Sequence, residues 1–178
     1  MQLLFQTYFD SPLGKIILTA NETALTGLGF NDQVDSRRRV QDQAIMNKAN
    51  TVLIQTKAWL ESYFAGENPD PNDILLDVCG TDFQNAVWRL LADISYGQTM
   101  TYGEIARKIA KQFGKSNMAA QAVGNAIGRN PIPIIIPCHR VIGSSGNLTG
   151  YIGGLDRKRY LLGLESLQHH LPTLSFCP

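Results

Sequence analysis

Cysteine and histidine are scarce in this chain, and their scarcity excludes much. Cys79, Cys138 and Cys177 stand far apart with no C-x-x-C spacing, which argues against both a disulfide framework and a zinc ribbon. The histidines are His139, His169 and His170, so residues 1–80 hold one cysteine and no histidine, and no metal is expected there. No apolar run approaches the about 20 residues of a membrane span, and the start MQLLFQTYFD lacks the basic residues and apolar core of a signal peptide. A cytoplasmic protein with reduced thiols and no membrane partner is expected. Repeats and low-complexity segments are also missing. The glycine-rich stretch GSSGNLTGYIGGL has neither a phosphate-loop lysine nor a dinucleotide fingerprint, and reads as the mobile wall of a site, not a nucleotide cradle.

What is present suits 178 residues of ordinary globular composition, 44% hydrophobic and 17% charged: one generous domain or two small lobes. The net charge of +1 conceals a segregation. Residues 1–80 hold 6 Lys/Arg against 10 Asp/Glu, and residues 81–178 hold 10 against 5. The second part is therefore the face for a polyanion. Arg107, Lys108, Lys111, Lys115 and Arg129 fall within 101–130, with Glu104 as the sole acid. A solvated helix face is the bland reading of any one such cluster; the segregation along the chain favours the functional one.

Short β-rich runs, FQTYFD, GKIILTA and ALTGLGF, are separated by DSPLG and NET and predict antiparallel strands with tight turns. From about Lys48 to Phe64 the spacing of Val52, Leu53, Trp59, Leu60, Tyr63 and Phe64 predicts a helix stopped by Gly66, with Trp59 and Tyr63 as core. Residues 66–80, with two prolines and several acids, connect the lobes, and ILLDV is a further strand candidate. Thr81 with Gln84, and Thr101 with Glu104, are capping-box patterns that open two amphipathic helices, the first ending before Gly97 and the second at Gly114. Ser116 or Asn117 can cap a third, MAAQAVGNAIG, which ends at Asn130-Pro131. Two short helices around a turn suggest a helix-turn-helix. The third is nearly free of bulk, through close packing against another helix or close approach of its backbone to nucleic acid. Asp156 is expected to cap a last helix with Tyr160, Leu161 and Leu164 towards the core. The tail with His169 and His170 is expected to fray, its histidines solvated.

Everything is organised around IPIIIPCHRVIG, residues 132–143. The apolar run reads as a short buried strand ending at Pro137, which hands over Cys138, His139 and Arg140 at the rim of a core. A thiol of reference pKa about 8.5 is only a few per cent thiolate at neutral pH and needs a nearby base or cation to act as a nucleophile. His139 is the candidate, although successive side chains of extended backbone face opposite ways, so either the chain turns or a water connects them. An inert core cysteine and a Cys-His metal corner are the competing readings.

The stretch NPIPIIIPCHRVIG followed by TGYIGGLDRKRYLLGLE, with FQNAVWRLL and GQTMTYGEIA before it, resembles the O6-alkylguanine-DNA alkyltransferases, also called methylated-DNA–protein-cysteine methyltransferases. The match runs from about Phe83 to Glu165, and more loosely through the first lobe. The resemblance implies an α+β chain: an N-terminal RNase H-like α/β lobe with its linker over 1–80, then an all-α, winged-helix-like helix-turn-helix lobe over 81–178 that binds DNA and carries the chemistry. It implies that Cys138 takes the alkyl group from O6-alkylguanine, more weakly from O4-alkylthymine, and keeps it as a thioether in a single turnover. A Glu165–His139–water–Cys138 relay would activate the thiol, Asn130 would hold the turn before it, and Tyr102 would donate a proton to the departing guanine. Val141, Tyr151, Ile152 and Lys158 match base-pocket positions, and Ala120, Gln121, Ile127 and Arg129 match the helix that enters DNA. The flipped base is commonly replaced by an arginine where this chain has Gln121, and a serine is common where it has Ile152. The implied partner is double-stranded DNA carrying alkylated guanine or thymine, met by a monomer without cofactor or metal. A sensor that binds alkylated DNA without repairing it, and a cysteine hydrolase, are the alternatives.

Overall fold

The computed structural model describes residues 3–33, 45–46 and 49–167. His169, His170 and Cys177 lie outside them. Strands β1 (Phe5–Ser11) and β2 (Gly14–Ala20) form a hairpin in register from Phe5↔Ala20 to Ser11↔Gly14. Its turn is fixed by the Ser11 hydroxyl, which accepts from Leu13 N at 3.1 Å and donates to Gly14 O at 2.6 Å. Asn21 makes the next turn, its side-chain oxygen accepting from the backbone N–H of Thr23 and Ala24. Strand β3 (Leu25–Phe30) then pairs antiparallel with β2. The three expected strands are joined by β4 (Ile45–Met46), which runs parallel to β1 and gives the order β3-β2-β1-β4.

Helix α1 (Thr51–Phe64) is capped by Asn50, three residues beyond the expected start, and buries Leu53, Trp59, Leu60 and Tyr63. The ILLDV candidate reduces to a bridge at Leu76 beside Leu25, with single backbone bonds on either side.

The helical part follows. Helices α2 (Asp82–Ala92) and α3 (Tyr102–Gln112) both open with complete capping boxes, at Thr81/Gln84 and Thr101/Glu104. Helix α4 (Ala120–Ile127) is shorter than expected: its N-cap is Ala119 with no side-chain bond, so neither Ser116 nor Asn117 caps it. Helix α5 (Leu155–Leu167) begins two residues earlier than expected, after Gly154 at φ 87°. Asp156 therefore sits inside its first turn and pairs with Arg159 at 2.9 Å, while Leu161 is buried and Tyr160 is exposed.

The apolar run before Cys138 is not a strand. Pro133 and Pro137 cannot donate to a ladder, and the chain folds into a buried turn in which Ile136 N donates to Ile132 O and Ile134 takes φ 79°. Asn130 holds this turn from within. Its amide donates to Ile136 O at 2.7 Å, and its side-chain oxygen accepts from Ile132 N at 3.0 Å. Residues Cys138–Arg140 then make one 3-10 turn into β6 (Val141–Ile142), which pairs parallel with β5 (Met100–Thr101).

Candidate active site

The turn geometry decides where the thiol goes. Cys138 is 1% exposed and lies at the floor of a cleft of about 640 Å³, bounded by α4 on one side and by residues 149–152 on the other. The cleft brings together Tyr102, Ala120, Gln121, Ile127, Cys138, Tyr151 and Ile152 from the expected set, and adds Gly124, Asn125, Gly128, Thr149 and Gly150. Arg129 is exposed at the end of α4 and does not line it. Val141 is buried in the β5–β6 pair behind it.

His139 points away from the cleft into the protein and is fully buried. Its Nε2 lies 2.7 Å from Glu165 Oε1. Burial raises the proton affinity of Glu165, but its bonds to His139 and Arg140 outweigh that and hold the carboxyl well below the usual range. An ionised carboxylate only accepts, so Nε2 carries the proton and Nδ1 offers a lone pair. Nδ1 is buried and has no hydrogen-bond partner among the described residues. Burial lowers the pKa of His139 against the opposing pull of Glu165, so the ring is neutral and poised as a base.

Two further groups complete this network: Arg140, singled out beside Cys138 and His139 but given no role, and Tyr63, not anticipated as a site residue. Arg140 donates from Nε to Glu165 Oε2 and from Nη2 to Oε1, both at 2.9 Å, and its Nη1 donates to Ile94 O at 2.5 Å. Tyr63, expected only as core, donates to Glu165 Oε1 at 2.7 Å. Position 140, beside the cysteine and histidine, was a sequence signal for the arginine; nothing local marks Tyr63.

Tyr102 and Lys158 act on one short segment. The Tyr102 hydroxyl is within donating distance of the carbonyls of Thr149, at 3.0 Å, and Gly150, at 3.1 Å. Lys158 reaches the same carbonyls from behind, at 2.7 and 3.3 Å. Lys158 is thus a support of the cleft wall and not part of its lining. Its ammonium, pulled down to about 8 by burial against the opposing influence of Cys138, stays charged at neutral pH. Burial raises the Tyr102 phenol, which keeps its proton. Tyr151 stands edge-on to the His139 ring at 6.4 Å.

The wall is pinned to the first lobe. Arg157 donates to Leu13 O at 3.0 Å and to both oxygens of Asp32, and its guanidinium lies 4.2 Å from the Phe30 ring centre. Gly153 fits between Tyr151 and Phe30 so closely that a Cβ there would stand 2.4 Å and 2.7 Å from the two rings. Among the described residues no group of three or more His, Cys, Asp or Glu is placed to hold a metal, and no helix is long and apolar enough to cross a membrane.

Residues 82–167 match the family model "6-O-methylguanine DNA methyltransferase, DNA binding domain", and residues 4–78 match "6-O-methylguanine DNA methyltransferase, ribonuclease-like domain". A methylated-DNA–protein-cysteine methyltransferase of Mycobacterium leprae is 46% identical over 89% of this chain and 90% of its own length. One from Methanosarcina barkeri is 44% identical over 91% and 97%. The solved structure of Mycobacterium tuberculosis OGT in complex with DNA superposes with a TM-score of 0.78 at 42% identity, covering 92% of this chain and 94% of that one.

Proposed function

The chain belongs to the 6-O-methylguanine DNA methyltransferase family and repairs DNA by alkyl transfer, and from that premise we propose that Cys138 is the acceptor. The observation that carries this reading is the buried thiol at the cleft floor, next in sequence to a neutral His139 whose one ring nitrogen is committed to Glu165 and whose other is available as a base.

In the proposed step the Cys138 proton passes to His139 Nδ1 through one water. The imidazolium so formed is stabilised by Glu165. The thiolate attacks the alkyl carbon on guanine O6, the carbon–oxygen bond breaks, and its electron pair stays on the base. Tyr102, which holds its proton at neutral pH, turns from the Thr149 and Gly150 carbonyls to protonate the departing guanine. The product is a thioether with no acyl carbon for water to attack, so each molecule acts once. Asn130 holds the turn that presents Cys138; the segment 149–152, supported by Lys158, forms the wall against which the base rests. O4-alkylthymine fits the same chemistry as a poorer substrate.

The substrate base is stacked inside a duplex and must be flipped out, at a cost of about a few kcal/mol. Helix α4 borders the cleft with Ala120, Gln121, Gly124 and Ile127 and is the element we place in the groove, with Arg129, exposed at its end, as a further DNA-facing position. The Val141 side chain is buried behind the cleft, which leaves its backbone carbonyl as the group proposed for the base. Gln121 is exposed at the cleft edge, where it can hydrogen-bond the orphaned base but brings no cation. Gln121→Arg is therefore expected to speed transfer from duplex DNA while leaving transfer from a single-stranded oligonucleotide unchanged. Equal duplex rates in both proteins, followed in single-turnover assays, would refute that role.

The division into lobes near residue 80, action as a monomer on double-stranded DNA, and a cytoplasmic setting belong to the same proposal. A thiol that must stay reduced suits a reducing compartment. The presence of the thiol also favours repair over lesion sensing. Intact mass after incubation with a duplex carrying one O6-methylguanine tests the assignment. One methyl group per protein, mapped to Cys138 and absent in Cys138→Ser, is expected; binding without mass gain would favour the sensor.

A further inference from the structure

We propose that Tyr63 is a positioning residue of the transfer reaction: from the first lobe its hydroxyl holds Glu165, and Glu165 holds His139 in the orientation and proton state that activates Cys138. The inference rests on the assignment of Cys138 as acceptor.

The geometry is specific. Tyr63 OH is 2.7 Å from Glu165 Oε1, the same oxygen that meets His139 Nε2 at 2.7 Å, and it is itself 3.4 Å from that nitrogen. The side chain is 1% exposed, and its hydroxyl is committed to Glu165. Its ring is fixed on several sides. Trp59 stacks on it at 5.5 Å and 9°, Phe64 meets it edge-on at 5.4 Å, and Tyr96 does so at 6.0 Å. A core tyrosine needs a partner for its hydroxyl, but that partner need not be the carboxylate that orients the catalytic base.

The chemical effect has a definite sign. Tyr63 withdraws charge from Glu165 by donating to it. Without that donor the carboxylate becomes more basic, His139 is more readily held as imidazolium, and an imidazolium cannot take the Cys138 proton. The other groups facing this pair are Arg140, bound to both Glu165 oxygens, the Gly97 N–H on Oε2, Tyr96 under the Arg140 guanidinium, and Lys158 and Tyr151 from the cleft wall.

The test uses the full chain and the pH profile of single-turnover methyl transfer from an O6-methylguanine duplex. Tyr63→Phe keeps the stacked ring and is expected to slow transfer about tenfold, the scale of a lost hydrogen bond to a charged group, without weakening DNA binding. Its acid limb should move to higher pH. Site-specific 3-fluorotyrosine at position 63, a stronger donor of nearly the same shape, should move that limb to lower pH, and this holds even if the phenylalanine variant fails to fold. Trp59→Phe, which disturbs the same packing but does not touch Glu165, should leave the limb in place. Unchanged profiles in both Tyr63 proteins, or shifts in the same direction, or an equal shift in Trp59→Phe, would overturn the proposal. Failure of the wild-type protein to gain a methyl group would instead remove the Cys138 assignment beneath it.

Discussion

Five donors converge on the two oxygens of Glu165: His139 Nε2, Tyr63 OH, Gly97 N, and Nε and Nη2 of Arg140. A buried carboxylate survives as an anion only in such company. Its folded pKa lies below its ordinary value of 4.5, so the unfolded chain binds the proton first as pH falls. The stability that ionised Glu165 contributes is complete above 4.5 and is lost progressively below it. Glu165→Gln should be less stable at neutral pH by about 3–5 kcal/mol, because the largely covered Arg140 is left without its anion. The gap from wild type should narrow as acid is added; urea midpoints from neutral pH down through the carboxylate range would show it. Cys138, His139, Asn130 and Glu165 were legible in the sequence through the resemblance of their motifs. Tyr63 was not: its partner is 102 positions away, and a tyrosine on an amphipathic helix carries no mark distinguishing a core hydroxyl from a working one.

Among the elements, the capped helices were read best, because their start signals are local. Where the signal was not local the reading failed. The apolar run before Cys138 has strand composition, but its two prolines and the internal clamp of Asn130 make it a turn. Helix α4 posed the open question of its small residues. A Cβ on Gly124 would lie 3.9 Å from the Tyr102 ring, an ordinary contact, so packing does not require glycine there. Gly124→Ala should therefore raise stability, by up to about 1 kcal/mol from helix propensity. If α4 is the helix that approaches DNA, the same change should weaken duplex binding severalfold. Thermal unfolding and a DNA titration on one preparation would separate the two effects, and unchanged affinity would place the docking face elsewhere.

For the molecule as a whole, charge segregation pointed to the DNA-facing part, but the contribution of the first lobe to the cleft was illegible. Phe30, Asp32 and Leu13 come from strands and turns read as ordinary β structure, yet they secure Arg157 and the segment carrying Tyr151 and Ile152. Gly153→Ala has no room between Phe30 and Tyr151. The overpacking should cost about 1–3 kcal/mol and displace the cleft wall, slowing methyl transfer more than it weakens duplex binding. Loss of binding in proportion to loss of rate would show that the wall serves the DNA surface and not the base.

The nearly complete burial of Cys138 has one more implication. If Cys138 is the acceptor, its sulfur reacts only once and is wasted by any stray electrophile or oxidant that reaches it. At the floor of a cleft, with α4 on one side and the 149–152 segment on the other, it is shielded from dissolved reagents and accessible mainly to what is inserted into the cleft. The fold thus rations access to an irreplaceable atom, and selectivity becomes a matter of delivery.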